Sequence, residues 1–308
     1  MEPGRIRTGC SLADPIHDQA EGLRRLLVQN YLRIVTLTSG STGAGKTTAV
    51  INLAAALARN GKSVLVIDEN TGANNICGLL GLNAHRDLLD VIRRDKTVQE
   101  VVISSVHGFS ILPAGQGMRA LEKLNAGDRA HLIGSFAHLT PPFDVVLIDA
   151  APGRASRSLS LALSSHEIVV VASPEAASIT AAYALIKHIN GNYQNKRRYH
   201  ILINKAVTEI EANTIFSNME SAARRYLGIS LEFLGYIPYE HKLCPSNPLP
   251  KSLSAASFGE AFQHAAESLI HRPFEEDEGR GLERFMQCLL QSSPVSQGAR
   301  MNGVTAES

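Results

Sequence analysis

An open, doubly wound α/β sheet, mostly parallel and of about seven strands with helices on both faces, is the fold this sequence predicts. Two observations carry that expectation. Short apolar runs recur along the middle of the chain, several too continuous for strands with one wet face, which is how strands covered on both sides of a parallel sheet read. Helix-length amphipathic segments alternate with them, as strand–helix–strand connections require. At 308 residues, 44% hydrophobic and 19% charged, the chain is long enough to bury a large core.

The apolar runs are 34–37, 64–67, 109–112, 145–148, 168–171, 201–203 and 231–237. With their connections they need most of residues 31–272, which fits one domain better than two. Between the first two runs, residues 46–60 place Val50, Leu53, Ala54 and Leu57 on one face, and Gly61 serves as the C-terminal stop. Both ends fall outside the pattern. Residues 1–30 form a tail with one short helix candidate, in which Asp18 is the N-cap and Glu21 its capping-box partner. Residues 273–308 comprise an acidic linker (273–279), an amphipathic helix (282–291) and a small-residue, polar stretch that reads as a disordered tail.

Composition removes several classes of function. Thirty Lys and Arg against 29 Asp and Glu leave a formal charge of +1, without the basic surplus of a protein that coats nucleic acid. No direct nucleic-acid binding is therefore expected. No apolar run approaches the roughly 18 residues of a bilayer span, and the N-terminus lacks the apolar stretch of a secretory signal. The cysteines, Cys10, Cys77, Cys244 and Cys288, are far apart with no CxxC pair, so a disulfide framework or zinc knuckle is not expected. A reducing cytoplasm is the expected location.

The strongest chemical signal is Gly40-Ser41-Thr42-Gly43-Ala44-Gly45-Lys46-Thr47, directly after a predicted strand and directly before a predicted helix. It satisfies G-x-x-x-x-G-K-[ST] in the context the motif requires. Small residues let successive backbone N–H groups turn inward around phosphate oxygens, and the helix N-terminus adds its positive end. Lys46 would lie along the β- and γ-phosphates, Thr47 would complete the shell of a Mg²⁺ ion, and Thr48 continues the loop into the helix. A second element is Asp149, at the end of the 145–148 run and followed by Ala-Ala-Pro-Gly153. A carboxylate there orients Mg²⁺ through bound water. Asp68 ends the second run in the same way, either as a third metal-side ligand or as an ordinary strand-terminal turn residue.

Three further stretches make the chain resemble the MinD/ParA class of P-loop ATPases and, within it, the FlhG/FleN subgroup of flagellar-number regulators. Asp18-Gln19-Ala20-Glu-Gly-Leu23-Arg24 matches the DQAxxLR motif of that subgroup. The segment from Ser173-Pro-Glu to Tyr183-Ala-Leu-Ile186 matches its TPEPTSITDAYALIK-like segment. Asn204 and Pro238 match its adenine-pocket positions. The resemblance covers roughly residues 18–290. It implies an ATP- and Mg²⁺-dependent ATPase that dimerises around ATP and docks reversibly on the inner face of the cell membrane. It also implies an FlhF-type signal-recognition GTPase and a FleQ-type flagellar transcription regulator as partners.

Three positions depart from the family pattern. Its signature lysine, which reaches the partner's phosphates across the dimer, is Ser41 here, and a neutral hydroxyl cannot offset phosphate charge. The second aspartate of its D-x-D, which positions the attacking water, is Asn70, which cannot take up a proton as a carboxylate would. The aspartate of SITDAYA is Ala181. Arg154 and Arg157 are either solvated arginines or replacements for the missing charge. Lys46, Asn70 and Asp149 are thus the catalytic candidates of a slow ATPase, or of a nucleotide-binding scaffold that barely turns over. A ParA-type partitioning ATPase fits the charge balance less well.

Both terminal helices have two readings. Leu282, Phe285, Met286, Leu289 and Leu290 form an apolar stripe that suits either packing on the domain or a membrane interface. Asp18, Gln19, Ala20, Leu23 and Arg24 form a segment too short to be a stable helix alone, which must fold on its own domain or on a partner.

Overall fold

The computed structural model describes residues 32–72, 75–137, 139, 142–151, 164–165, 167–192, 198–239, 256–271 and 282–291. The expected DQAxxLR segment, Arg154, Arg157, the acidic linker and the C-terminal tail lie outside them.

Eight strands form one sheet: β1 (Arg33–Thr38), β2 (Val64–Asp68), β3 (Ile103–Ser104), β4 (Ser110–Pro113), β5 (Val145–Asp149), β6 (Glu167–Ala172), β7 (Arg198–Ala206) and β8 (Leu231–Pro238). Their order is β3-β4-β2-β5-β1-β6-β7-β8, and every pairing is parallel except β3 with β4. The seven apolar runs are the seven parallel strands. The eighth, β3, is a two-residue antiparallel edge strand, too short to carry any periodicity.

The period of two decides what each strand residue touches. Val35, Leu37, Val64, Val66, Val145, Leu147, Val169 and Val171 face a core built with helix α1 (Lys46–Arg59) and the later helix 256–271. Their neighbours Ile34, Leu65, Ile67, Val146 and Ile148 face the opposite side. The short helix α2 (Ile76–Leu79) packs into the first core, and on the opposite side the strands meet α3 (Leu88–Ile92), α4 (Val98–Val101), α5 (Gly115–Ala120) and α6 (Ala126–Ala137). Further along the sheet the same side is covered by α7 (Ala176–Asn192) and α8 (Glu209–Leu227), over Ile168, Val170, Ile201 and Ile203. The remaining helices are α9 (Ala256–His271) and α10 (Leu282–Gln291).

Helix α10 carries the apolar stripe for which two readings were open. Leu282, Phe285, Met286, Leu289 and Leu290 are all buried, packed in the core that includes Leu132 and Phe136 of α6. The Arg129 guanidinium also donates to the Leu290 carbonyl at 2.6 Å, satisfying an orphan group of the last helical turn. The stripe that would suit a bilayer is thus covered by the domain in this structure. Among the described residues no helix is long and apolar enough to cross a membrane.

Strand β1 lies between β5 and β6, and the chain leaves it toward β2 on one side while β6 returns on the other. A crevice opens at the carboxyl ends of strands where the order reverses in this way, and it is the usual place for a ligand. At the opposite ends of the strands a chain of polar side chains links β1, β6, β7 and β8. Glu167 pairs with the Arg33 guanidinium at 3.6 Å and faces His200 at 3.2 Å, and His200 in turn faces Glu232 at 3.6 Å. Burial pushes the Glu167 carboxyl up, but the His200 hydrogen bond and the Arg33 charge outweigh it and hold it low.

Candidate functional site

The loop between β1 and α1 is shaped by two left-handed glycines, Gly43 (φ 83°) and Gly45 (φ 84°). A side chain at Gly45 would also strike the Asn204 amide, since its Cβ would lie 2.1 Å from Nδ2. Gly40 is required for a different reason: a Cβ there would lie 2.1 Å from the backbone of Ala181, so α7 approaches the loop directly. Gly45 caps α1 without any side-chain hydrogen bond, which leaves the N–H groups of the first turn directed at the loop. These features fit a phosphate cradle.

Behind the loop, Lys46 is 6% exposed and pairs with Asp149, which is fully buried. The Thr47 hydroxyl hydrogen-bonds the same carboxylate. Sheet register brings the acids together, because Asp149 is the direct partner of Leu37 on β1 and of Asp68 on β2. Burial pushes the Asp149 carboxyl up, while the Lys46 ammonium and the Thr47 hydroxyl pull it down. Asp68 is pushed up to about 6, first by burial and then by the charge of Asp149. Three hydrogen bonds oppose this, from the Ile76 N–H at 2.7 Å, the Asn70 N–H at 2.9 Å and the Asn70 amide at 2.9 Å. Asp68 therefore holds a proton more readily folded than unfolded. Its contribution to stability grows as pH falls through about 6 toward the ordinary 3.8, and is lost as pH rises.

Asn70 sits between the two acids. Its Nδ2 donates to Asp68 at 2.9 Å and to Asp149 Oδ2 at 2.7 Å. An amide can donate to two carboxylates at once, and a third carboxylate in its place would repel both. Ser41 is bound within its own chain: its hydroxyl donates to Ser178 of α7 at 3.4 Å, and its carbonyl accepts from Ser39 at 2.9 Å. Thr42 and Gly43 are exposed, and Thr48 is half-buried at the start of α1. On the far side Asn204 donates to the Ala44 carbonyl at 2.8 Å, and Pro238 closes β8 beside Ala206.

The structure thus brings together Lys46, Thr47, Asp68, Asn70 and Asp149, with Asn204 on the loop's other flank. Two participants were not anticipated. Glu69, 8% exposed, accepts from the Ala151 N–H at 2.7 Å and so ties the loop after β2 to the loop after β5. Lys205 donates to the Gly43 carbonyl at 2.8 Å. For Glu69 the only sequence signal was a carboxylate beside a strand-terminal aspartate. For Lys205 there was none beyond its place after Asn204.

Among the described residues no three His, Cys, Asp or Glu side chains form a closed metal cage. A hydrated Mg²⁺ needs none, since one or two carboxylates, a hydroxyl and phosphate oxygens suffice. Thr47, Asp68 and Asp149 have the right donor chemistry for that.

Comparison with known proteins agrees with this geometry. Residues 32–203 match the model of a family described as an AAA domain. The antiactivator FleN of Pseudomonas aeruginosa is 30% identical over 84% of this chain and 94% of its own length. The flagellum site-determining protein YlxH of Helicobacter pylori is 24% identical over 67% of this chain and 69% of its own. Among solved structures, the septum site-determining protein MinD of Pyrococcus horikoshii OT3, in complex with Mg-ADP, superposes with a TM-score of 0.57 at 22% identity. That match covers 78% of this chain and 96% of MinD. At that identity the likeness shows the fold. With the matched domain spanning the loop, both acid-bearing strands and the first six residues of β7, and with a 30% identical relative matched over 94% of its length, the chain belongs to the FleN-type branch of the MinD-like AAA-domain family.

Proposed function

We propose that this protein is an ATP-binding regulator of flagellar number and placement that hydrolyses ATP slowly. The observation that carries the reading is the buried Lys46–Asp149 pair with Thr47 on the same carboxylate, directly behind a glycine loop that opens the first turn of a helix. Gly40, Ser41, Thr42, Gly43, Ala44, Gly45, Lys46, Thr47 and Thr48 would hold the phosphates, and Asn204 and Pro238 the adenine side. Thr47, Asp68 and Asp149 would hold the hydrated Mg²⁺, which when bound neutralises charge on the β- and γ-phosphates. Asn70 would orient the attacking water without accepting its proton. Turnover would be slow for that reason, and because position 41 offers no charge to the γ-phosphoryl group.

The biological assignment rests on the relatives, one named an antiactivator and another a flagellum site-determining protein. On that basis the partners would be an FlhF-type GTPase, met through Asp18, Gln19, Ala20, Leu23 and Arg24, and a transcription activator of the FleQ type. An ATP-dependent homodimer would have to form without a lysine at position 41. Contact with the membrane would require α10 to leave α6. A second reading, a scaffold that binds nucleotide without effective turnover, is favoured by one observation. The Asn70 amide already serves as donor to both acids, an arrangement that holds the metal-side carboxylates whether or not water is activated.

Nucleotide binding is tested by Lys46→Ala. Calorimetry should show ATP affinity reduced by the equivalent of about 1.5–3 kcal/mol, the value of a hydrogen bond to a charged group. Unchanged affinity would remove the basis of the reading.

Hydrolysis separates the two readings. Asn70→Asp should destabilise the Mg²⁺-free protein by about 1–3 kcal/mol, because two buried carboxylates lose a donor and gain a repelling neighbour. At saturating Mg²⁺, Asn70→Asp combined with Ser41→Lys should raise steady-state hydrolysis at least about tenfold over wild type. A wild-type rate that the double variant does not improve would show that other residues already fill both roles.

The partner segment is tested by deleting residues 1–30. ATP affinity and melting temperature should stay near wild type, while stimulation of an FlhF-type GTPase should vanish both in the deletion and in Arg24→Ala. Loss of folding on deletion would make the segment part of the core instead.

A further inference from the structure

Where β7 ends, the strand breaks its own alternation. Asn204 is the register partner of Ile237 and Ala206 of Pro238, with an irregularity between them at Lys205. Lys205 is one of only two described non-glycine residues with positive φ, at 64°. A left-handed conformation costs an L-residue with a long side chain on the order of 1–2 kcal/mol, and a bulge of this kind re-aims a side chain. Consecutive residues of a regular strand point to opposite faces. Here, however, Asn204 and Lys205 reach the same object: Nδ2 of Asn204 donates to the Ala44 carbonyl at 2.8 Å, and Nζ of Lys205 donates to the Gly43 carbonyl at 2.8 Å. The Lys205 N–H, taken out of the ladder by the bulge, is satisfied by the Asn204 side-chain oxygen at 3.0 Å.

The two carbonyls belong to the stretch in which left-handed Gly43 and Gly45 flank Ala44. Holding successive carbonyls outward, toward β7, fixes the orientation of the adjoining peptide planes and so directs their N–H groups toward the cradle. Such donors are most effective when their orientation is fixed before the anion arrives. A strained backbone that persists at a site, and whose consequence is a contact with that site, is the pattern expected when strain serves positioning.

We propose that Lys205 is a positioning residue for the phosphate loop, acting with Asn204 as a two-point clamp from the end of β7 that pre-orients the loop amides. The clamp rests on the reading of residues 40–48 as a nucleotide site. It acts on the loop itself, so ADP and ATP gain from it equally, and it is present before nucleotide binds.

Three variants test it in the full-length protein. Lys205→Met keeps the stem and removes the donor, Lys205→Arg keeps a charged donor, and Lys205→Gly relieves the left-handed strain while abolishing the clamp. Calorimetry with Mg-ADP and Mg-ATP should show Lys205→Met weakened about tenfold for both, with Lys205→Arg within about threefold of wild type. Lys205→Gly should bind as weakly as Lys205→Met yet melt no lower than wild type, a divergence that a merely stabilising residue would not give. In nucleotide-free protein, amide hydrogen exchange over residues 41–47 should be faster in Lys205→Met and restored in Lys205→Arg. Wild-type affinity in Lys205→Met, loss of ATP binding with ADP binding intact, or unchanged loop exchange would each overturn the clamp. If wild type itself bound neither nucleotide, the nucleotide-site reading would fail, and the loop exchange would still decide whether Lys205 fixes the loop.

Discussion

The Lys46–Asp149 pair is the constraint around which the rest of the site is arranged. A buried charge pair is weak evidence for stability, since desolvation offsets much of the attraction, whereas removal of one partner typically costs about 3–5 kcal/mol. Such a pair persists in a core only with every lone pair served. The surroundings serve it: Thr47 and Asn70 both donate to Asp149, and Asn70 passes the arrangement on to Asp68. The register of β1, β5 and β2 makes this possible by placing Leu37, Asp149 and Asp68 side by side at one sheet edge. Side chains on both faces of those strands are packed, and a one-residue slip would turn each of them to the other face and exchange the residues of the two cores. Packing on both faces therefore determines where the charges meet.

That dependence explains which parts were legible in the sequence. Seven apolar runs gave seven strands, since strands buried on both faces leave a continuous trace. The two-residue β3 left none. The phosphate loop was legible because its glycines have conformational reasons that survive in a one-letter code: left-handed φ at Gly43 and Gly45, close approach of α7 at Gly40. Glu69 and Lys205 were not, because their roles depend on a tertiary hydrogen bond and on a bulge, neither of which has a compositional signature. The stripe on α10 was visible, but the same five side chains suit protein or lipid. In this structure they pack on α6.

Asn70 shows how a departure from a family pattern changes meaning once geometry is known. In sequence it reads as a lost carboxylate. In the fold it is a donor shared by two acids that would otherwise repel, one of them pushed up to about 6. Glu69, one residue earlier, ties the same loop to the segment after β5, so the two acid-bearing strand ends are joined through both side chains and backbone. A change at either acid would be felt at the other.

Proton release on metal-nucleotide binding tests that coupling most directly. If Asp68 is held partly protonated by burial and by Asp149, Mg-ADP bound beside it should drive its ionisation, releasing on the order of half a proton at pH 6 beyond what the nucleotide itself releases. Calorimetric titrations at pH 6, in buffers of different ionisation enthalpy, measure this as the difference between wild type and Asp68→Asn. A larger release from wild type, fading as pH rises to 8, is the result expected of an acid pair held together by Lys46 and Asn70. Equal release from the two proteins across that range would contradict it.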